Sequence, residues 1–146
     1  LDLLLSVDLR GTMLASWTAA ELMAGQPGGG VIINMSWDRV LQGMPGENPE
    51  LFSAVKGGIL GFSRSLARSL APKIRVNVLG PGWIDTSFGQ GAPDRFRARV
   101  AEQIPLGRWG TPEDVAKVKE SYTGRYLKDL LGRRSANGRG KKQAAE

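Results

Sequence analysis

Two short apolar runs, "VIINM" at 31–35 and "IRVNVL" at 74–79, stand on either side of one helix-length segment. β-Branched residues between glycines and prolines predict strands. Between them Leu51, Val55, Ile59, Phe62, Leu66 and Leu70 recur every three or four residues, the period of a helix with one apolar face. Asn48 and Pro49 form a start signal, an Asn cap followed by Pro at the first helical position. Pro72 stops the helix after Ala71, because its ring excludes a further helical turn. A strand, a long crossover helix and a second strand can pair only in parallel, with a right-handed connection. The unbroken apolar character of "VIINM" further predicts a strand buried on both faces. The fold class that follows is α/β, with parallel strands and flanking helices.

The remaining segments fit that frame. Leu5, Leu9, Met13, Trp17 and Ala20 predict a helix from Leu1 to about Met23, broken by the glycines between Gly25 and Gly30. Residues Pro93 to Gln103 read as an amphipathic helix, and Thr111, Pro112 and Asp114 as a capping box that opens another. The chain of 146 residues contains no cysteine and no histidine, which excludes disulfides, thiol nucleophiles, Ser-His triads and the usual zinc sites. No run is apolar enough for a membrane span. The absence of cysteine fits the cytoplasm. Residues 1–116 hold 11 basic and 11 acidic side chains, so the net charge of +6 resides entirely in 117–146, with 9 basic and 3 acidic.

Four fragments, "GGGVIINMS", "LFSAVKGGILGFSRSLARSLAP", "IRVNVLGPGWIDT" and "PLGRWGTPEDVA", resemble the short-chain dehydrogenase/reductase family in order and spacing, over about 9–116. The resemblance implies a Rossmann-type three-layer fold, here incomplete. It also implies NAD or NADP as cofactor, and hydride transfer to or from the carbon of a small alcohol or ketone. In that family a Tyr and a Lys four residues apart carry the proton chemistry, on one helical face. Lys56 matches the lysine, which also grips the nicotinamide ribose, and Phe52 stands at the tyrosine position. A benzene ring neither gives nor takes a proton, so the resemblance implies an impaired active site. Ser36 and Trp37 compete for the position of the family serine that orients the substrate oxygen. Asp8, in "SVDLRG", stands where the family usually has Asn, and Asp38 and Glu50 are conceivable replacement acids. Pro81, Gly82, Ile84 and Thr86 match the turn that cradles the nicotinamide carboxamide, and the stretch from Ser87 to Pro105 matches the flap over substrate.

The glycine-rich turn that would meet a pyrophosphate has no counterpart, since Gly28 to Gly30 precede a strand and "KGGILG" lies inside a helix. The chain therefore reads as the C-terminal half of such an enzyme, with one strand edge and some apolar faces uncovered. On its own it is expected to bind nicotinamide nucleotide poorly. The segments divide as 1–116, the dehydrogenase-like part; 117–132, a helical extension of different origin; and 133–146, a disordered basic tail. The stretch "GTPEDVAKVKESYTGRYLKDLL" is similar to the C-terminus of the bacterial excision-repair ATPase, without its phosphate loop. Alternatives to the enzyme are a non-catalytic module for nucleotide sensing or homo-oligomer assembly, and a weak nucleic-acid binder acting through the basic tail.

Overall fold

The computed structural model describes residues 2–44, 49–87, 89 and 91–117. Helix α1 (Asp2–Leu4) runs through a π-helical turn (Leu5–Arg10) into α2 (Gly11–Ala24). Strand β1 (Gly30–Met35), helix α3 (Pro49–Leu70) and strand β2 (Ile74–Leu79) follow, then α4 (Asp94–Gln103) and α5 (Pro112–Lys117). β1 and β2 pair in parallel, Ile32 opposite Val76 and Asn34 opposite Val78. The strand–helix–strand reading holds. Asn48, the expected cap of α3, lies outside the described residues, as do 118–146, the place of the expected helical extension and disordered tail.

The chain packs as two compact units, 1–82 and 83–146. In the first, α2 and α3 lie on one face of the strand pair. Ala20, Ile32, Leu66 and Ile74 form its core, with Met23, Phe62 and Leu70 packed around them. Val55 and Ile59 of α3 are fully buried, so the stripe read from the sequence does face the sheet. At about 25 cal/mol per Å² of apolar area removed from water, this burial is what holds the helices down. Trp17 stays half exposed and meets Phe62 edge to face, centroids 5.5 Å apart.

A polar hub runs through this core. Ser16 Oγ of α2 donates to Asn34 Oδ1 (3.1 Å), and Asn34 Nδ2 donates to Ser63 Oγ of α3 (2.9 Å). All three side chains are buried. Gly29 adopts φ +63°, and the Lys73 backbone lies where its Cβ would be, so glycine is required where the chain enters β1. Glycines 28–30 thus serve the strand entry.

One expectation is corrected. "VIINM" is not buried on both faces: Val31, Ile33 and Met35 are 41, 45 and 50 % exposed. Side chains alternate along a strand, and both packed helices lie on the Ile32 and Asn34 side.

The second unit closes on itself through backbone pairing. Ile84 and Gly110 form a parallel bridge, Asp85 N–H donates to Gly110 C=O (2.8 Å), and Gly110 N–H donates to Trp83 C=O (2.9 Å). Trp83, Phe96 and Trp109 pack ring on ring at 5.1 to 6.4 Å between centroids. Arg97 pins α4 to this cluster: it pairs with Asp85 (3.0 Å), donates to Gly89 C=O (2.9 Å) and lies over the Trp109 ring at 4.5 Å. The capping box at α5 is present in both directions. Thr111 Oγ1 accepts from Asp114 N–H (3.1 Å), and Asp114 Oδ2 accepts from Thr111 N–H (2.9 Å).

Replacing Asn34 with Ala leaves the buried hydroxyls of Ser16 and Ser63 without their shared partner. The expected loss is about 2 kcal/mol by urea denaturation, and a loss below roughly 0.5 kcal/mol shows that the hub is dispensable. The Asp114 carboxyl is held below the ordinary carboxylate value, first by its hydrogen bond from Arg108 and then by the Thr111 N–H. A depressed folded value means the stabilisation is complete above the ordinary value of 3.8 and is lost as pH falls through the lower folded value. In a pH titration the Thr111 amide resonance is expected to move with a midpoint below 3.8; a midpoint at or above it contradicts the cap.

Candidate active site

β1 ends at Met35, and the next two residues lead in different directions. Ser36 is buried, its Oγ donating to the Lys56 C=O at 2.9 Å. That bond ties the end of β1 to the middle of α3. Trp37 turns its indole onto the Phe52 ring, edge to face, with centroids 5.1 Å apart and planes 73° apart. Of the two candidates for the family serine position, Ser36 directs its hydroxyl into helix α3, and Trp37 is the one against residue 52.

One turn after Phe52, the Lys56 side chain is 13 % exposed. Its Nζ lies 3.1 Å from Asp8 Oδ2 and 5.5 Å from the Phe52 ring centroid, within cation–π reach. Asp8 sits on the π-helical turn, where the backbone widens by one residue and side chains are re-aimed relative to an α-helix. The approach is close because α3 has glycine opposite: a Cβ on Gly58 would come within 3.1 Å of Leu9 Cδ1. The π turn and the glycine bring the Asp8 carboxylate to the Lys56 ammonium, across two helices.

The four residues matched to a carboxamide cradle divide between the two units. Pro81 and Gly82 follow β2 in the first, where Gly82 faces the Asp38 carboxylate: a Cβ there would be 3.2 Å from Asp38 Oδ2. Ile84 and Thr86 belong to the second, Ile84 in the bridge to Gly110 and Thr86 accepting from Gly89 N–H at 2.9 Å. Asp38 therefore lies by Gly82, and Glu50 is exposed in the first turn of α3. The anion that reaches Lys56 is Asp8. The sequence marks Asp8 as a departure in residue type but does not disclose its partner. The signal that could have found it, a π turn opposite a helical glycine, depends on hydrogen-bond phase and is not written in the residue pattern.

Among the described residues no cluster of three or more His, Cys, Asp or Glu is placed to hold a metal, and no helix is long and apolar enough to cross a membrane.

Parallel strands joined by a crossover helix, with Lys56 tied to the end of β1 through Ser36, define a layered α/β protein of the Rossmann type. The family described as enoyl-(acyl carrier protein) reductase matches residues 1–119. The chain is 38 % identical over 116 residues to the 3-oxoacyl-[acyl-carrier-protein] reductase FabG of Aquifex aeolicus, covering 78 % of this chain and 45 % of that protein. It is 36 % identical over 118 residues to the (3R)-3-hydroxyacyl-CoA dehydrogenase of Mus musculus, covering 80 % and 45 %. Among solved structures, an apo SCOR enzyme from Clostridium thermocellum superposes with a TM-score of 0.59 at 34 % identity, over 78 % of this chain and 42 % of that one. A 3-hydroxyacyl-CoA dehydrogenase type-2 from Mycobacterium avium shares the fold, with a TM-score of 0.66 at 24 % identity over 88 % and 47 %. The chain belongs to the short-chain dehydrogenase/reductase family. It spans less than half the length of these curated relatives.

An Asp8→Asn chain keeps a hydrogen-bond acceptor beside Lys56 but loses the negative charge. Its stability should fall by about 1 kcal/mol or less at low salt, and the gap should narrow at high salt as the ion pair is screened. Parallel urea denaturations of both proteins measure this, and a gap that is independent of salt overturns the ion pair as its cause.

Proposed function

We propose that this chain is the C-terminal, substrate-side half of a short-chain dehydrogenase/reductase site that keeps the ribose-holding lysine and has lost its proton donor. The observation that carries this reading is the geometry around Lys56. Its ammonium is paired with Asp8, and the ring one helical turn before it is Phe52. An ammonium has three N–H donors. One is directed at Asp8, and two remain for ribose hydroxyls, so the donor set suits a nicotinamide nucleotide on this side. Lys56, Pro81 and Gly82 of the first unit would hold NAD or NADP, and Ile84 and Thr86 of the second match the same family turn. When bound, the nucleotide supplies hydride chemistry with a small alcohol or ketone.

What the chain's own residues do at this mouth is bind and shield. Phe52 puts a benzene ring beside the lysine, and the Trp37 indole packs on that ring. Ser36, proposed as the substrate-orienting serine, donates its hydroxyl to helix α3 and would have to rotate to reach a substrate oxygen. General acid–base catalysis contributes about a hundred- to ten-thousand-fold in rate. An alcohol or ketone reaction at this site is therefore slow by about that factor unless another group delivers the proton.

The aromatic pair also favours a second reading, a non-catalytic module that retains the fold for nucleotide sensing or self-assembly. Trp37 packs edge to face on Phe52, the position where a reacting oxygen would need a proton donor. Two further proposals concern the C-terminal segment: that the chain joins a dehydrogenase-like part to an extension similar to the excision-repair ATPase tail, and that the basic tail touches nucleic acid weakly.

In the longest polypeptide carrying this sequence, Phe52→Tyr is expected to raise ketone reduction about a hundred- to ten-thousand-fold, followed as loss of reduced-nicotinamide absorbance. An unchanged rate sinks the missing-donor reading. Nucleotide binding by calorimetry with no turnover in either protein selects the non-catalytic module instead.

A further inference from the structure

A sugar hydroxyl makes two demands on a protein: its oxygen accepts a hydrogen bond, and its hydrogen needs an acceptor. An ammonium meets only the first, because it donates and never accepts. Whatever takes the hydrogen of a hydroxyl bound at Lys56 must therefore stand beside the same ammonium. Among the described residues that ammonium has two partners: Asp8, with Oδ2 at 3.1 Å, and Phe52, with its ring centroid at 5.5 Å. Phe52 carries no oxygen. The acceptor at this point is the Asp8 carboxylate.

The carboxylate has lone pairs beyond those that face the lysine. It offers two oxygens, and Oδ2 is the one at the ammonium. No other hydrogen bond or ion pair among the described residues involves the Asp8 side chain. Nor is Oδ1 sealed in the interior, since among the described residues no buried side-chain oxygen lacks a partner.

Two separate features bring this carboxylate to the lysine. Asp8 lies in the π-helical turn Leu5–Arg10, a rare conformation that recurs at functional sites. Its neighbour Leu9 packs where α3 has Gly58, whose Cβ would come within 3.1 Å of Leu9 Cδ1. An ion pair in which the lysine is 13 % and the aspartate 30 % exposed adds little net stability, because desolvation offsets the attraction. The pair is also neutral as a whole. An anionic group at Lys56 would meet the charge of Asp8, and a cation at Asp8 would meet that of Lys56. Neutral hydroxyls suit both, and a carboxylate on a ribose hydroxyl is a pairing that dinucleotide-binding sheets use at their adenosine end.

We propose that Asp8 and Lys56 form a donor–acceptor pair for the vicinal diol of the nicotinamide ribose, Asp8 accepting a hydroxyl hydrogen and Lys56 donating to a hydroxyl oxygen. The inference rests on the nucleotide-side reading of Lys56 and adds a second ribose-binding residue to it. Asp8 supplies the hydroxyl acceptor that a benzene ring at position 52 does not.

The test titrates the ¹⁵N-labelled full chain with nicotinamide mononucleotide and with its 2′,3′-difluoro analogue, in which fluorine replaces both ribose hydroxyls and removes their hydrogens. Saturable shifts of the amides of 8, 9, 56 and 57 are expected from both ligands, the analogue binding about tenfold more weakly. In Asp8→Ala, with its fold checked by circular dichroism, most of that gap should close: the mononucleotide weakens and the analogue does not. Asp8→Asn, which keeps a neutral acceptor, should lie between. Equal weakening of both ligands in Asp8→Ala means that Asp8 only props the lysine, and overturns the proposal. Equal affinity of the two ligands for the unsubstituted chain overturns it without any variant. In both cases the nucleotide-side reading stands, whereas shifts absent from these four amides with either ligand overturn that reading and the proposal together.

Discussion

The side chain of Asn34 joins three elements that apolar burial alone would leave free to slide. It accepts from Ser16 of α2 and donates to Ser63 of α3 while its own backbone is part of β1. Hydrophobic packing is non-directional and tolerates small rotations of a helix on a sheet. A buried amide with two specified hydroxyl partners does not, because each rotation strands a polar atom away from water. The rotation of α3 set in this way decides which residues reach the end of β1. With Val55 and Ile59 inward, Lys56 falls at the rim and Gly58 falls against Leu9. The Asp8–Lys56 pair is thus a consequence of a hydrogen bond two turns of helix away.

At the mouth itself, charge and hydrocarbon have been rearranged together. The site links Asp8 to Lys56, Lys56 to the Phe52 ring and that ring to Trp37. Asp8 pairs with the ammonium at 3.1 Å, and the Phe52 ring lies within cation–π reach of it. Binding and proton transfer make different demands: the first needs donors in place, the second a group that changes protonation during the reaction. Family membership rests on the whole match over residues 1–119, and a fold does not by itself specify an activity.

The second unit shows a different economy. Among its described residues are a six-residue helix, a ten-residue helix and one backbone bridge, little regular structure to bury. Trp83, Phe96 and Trp109 provide large apolar area from few residues, and Arg97 links three segments through one planar guanidinium. Removing that charge would separate segments that share no other ion pair among the described residues.

Much of the architecture is legible in the residues. Period two in "IRVNVL" and period 3.6 from Leu51 to Leu70 specify strand and helix, because burial demands that one face repeat. Thr111 and Asp114 announce a helix start through local hydrogen bonds that need no distant partner. The exposed face of β1 is misread from sequence, since an apolar run records what a strand can tolerate and not what lies over it. Phe52 and Lys56 are recognisable as a pair because four residues is a helical turn. The partnership of Lys56 with Asp8, the turning of Ser36 into α3, and the aromatic contact of Trp37 with Phe52 were decided by tertiary structure alone. Each depends on how two elements far apart in sequence are rotated against each other, and that rotation is set by buried contacts distributed over the whole unit, not by any local stretch of chain.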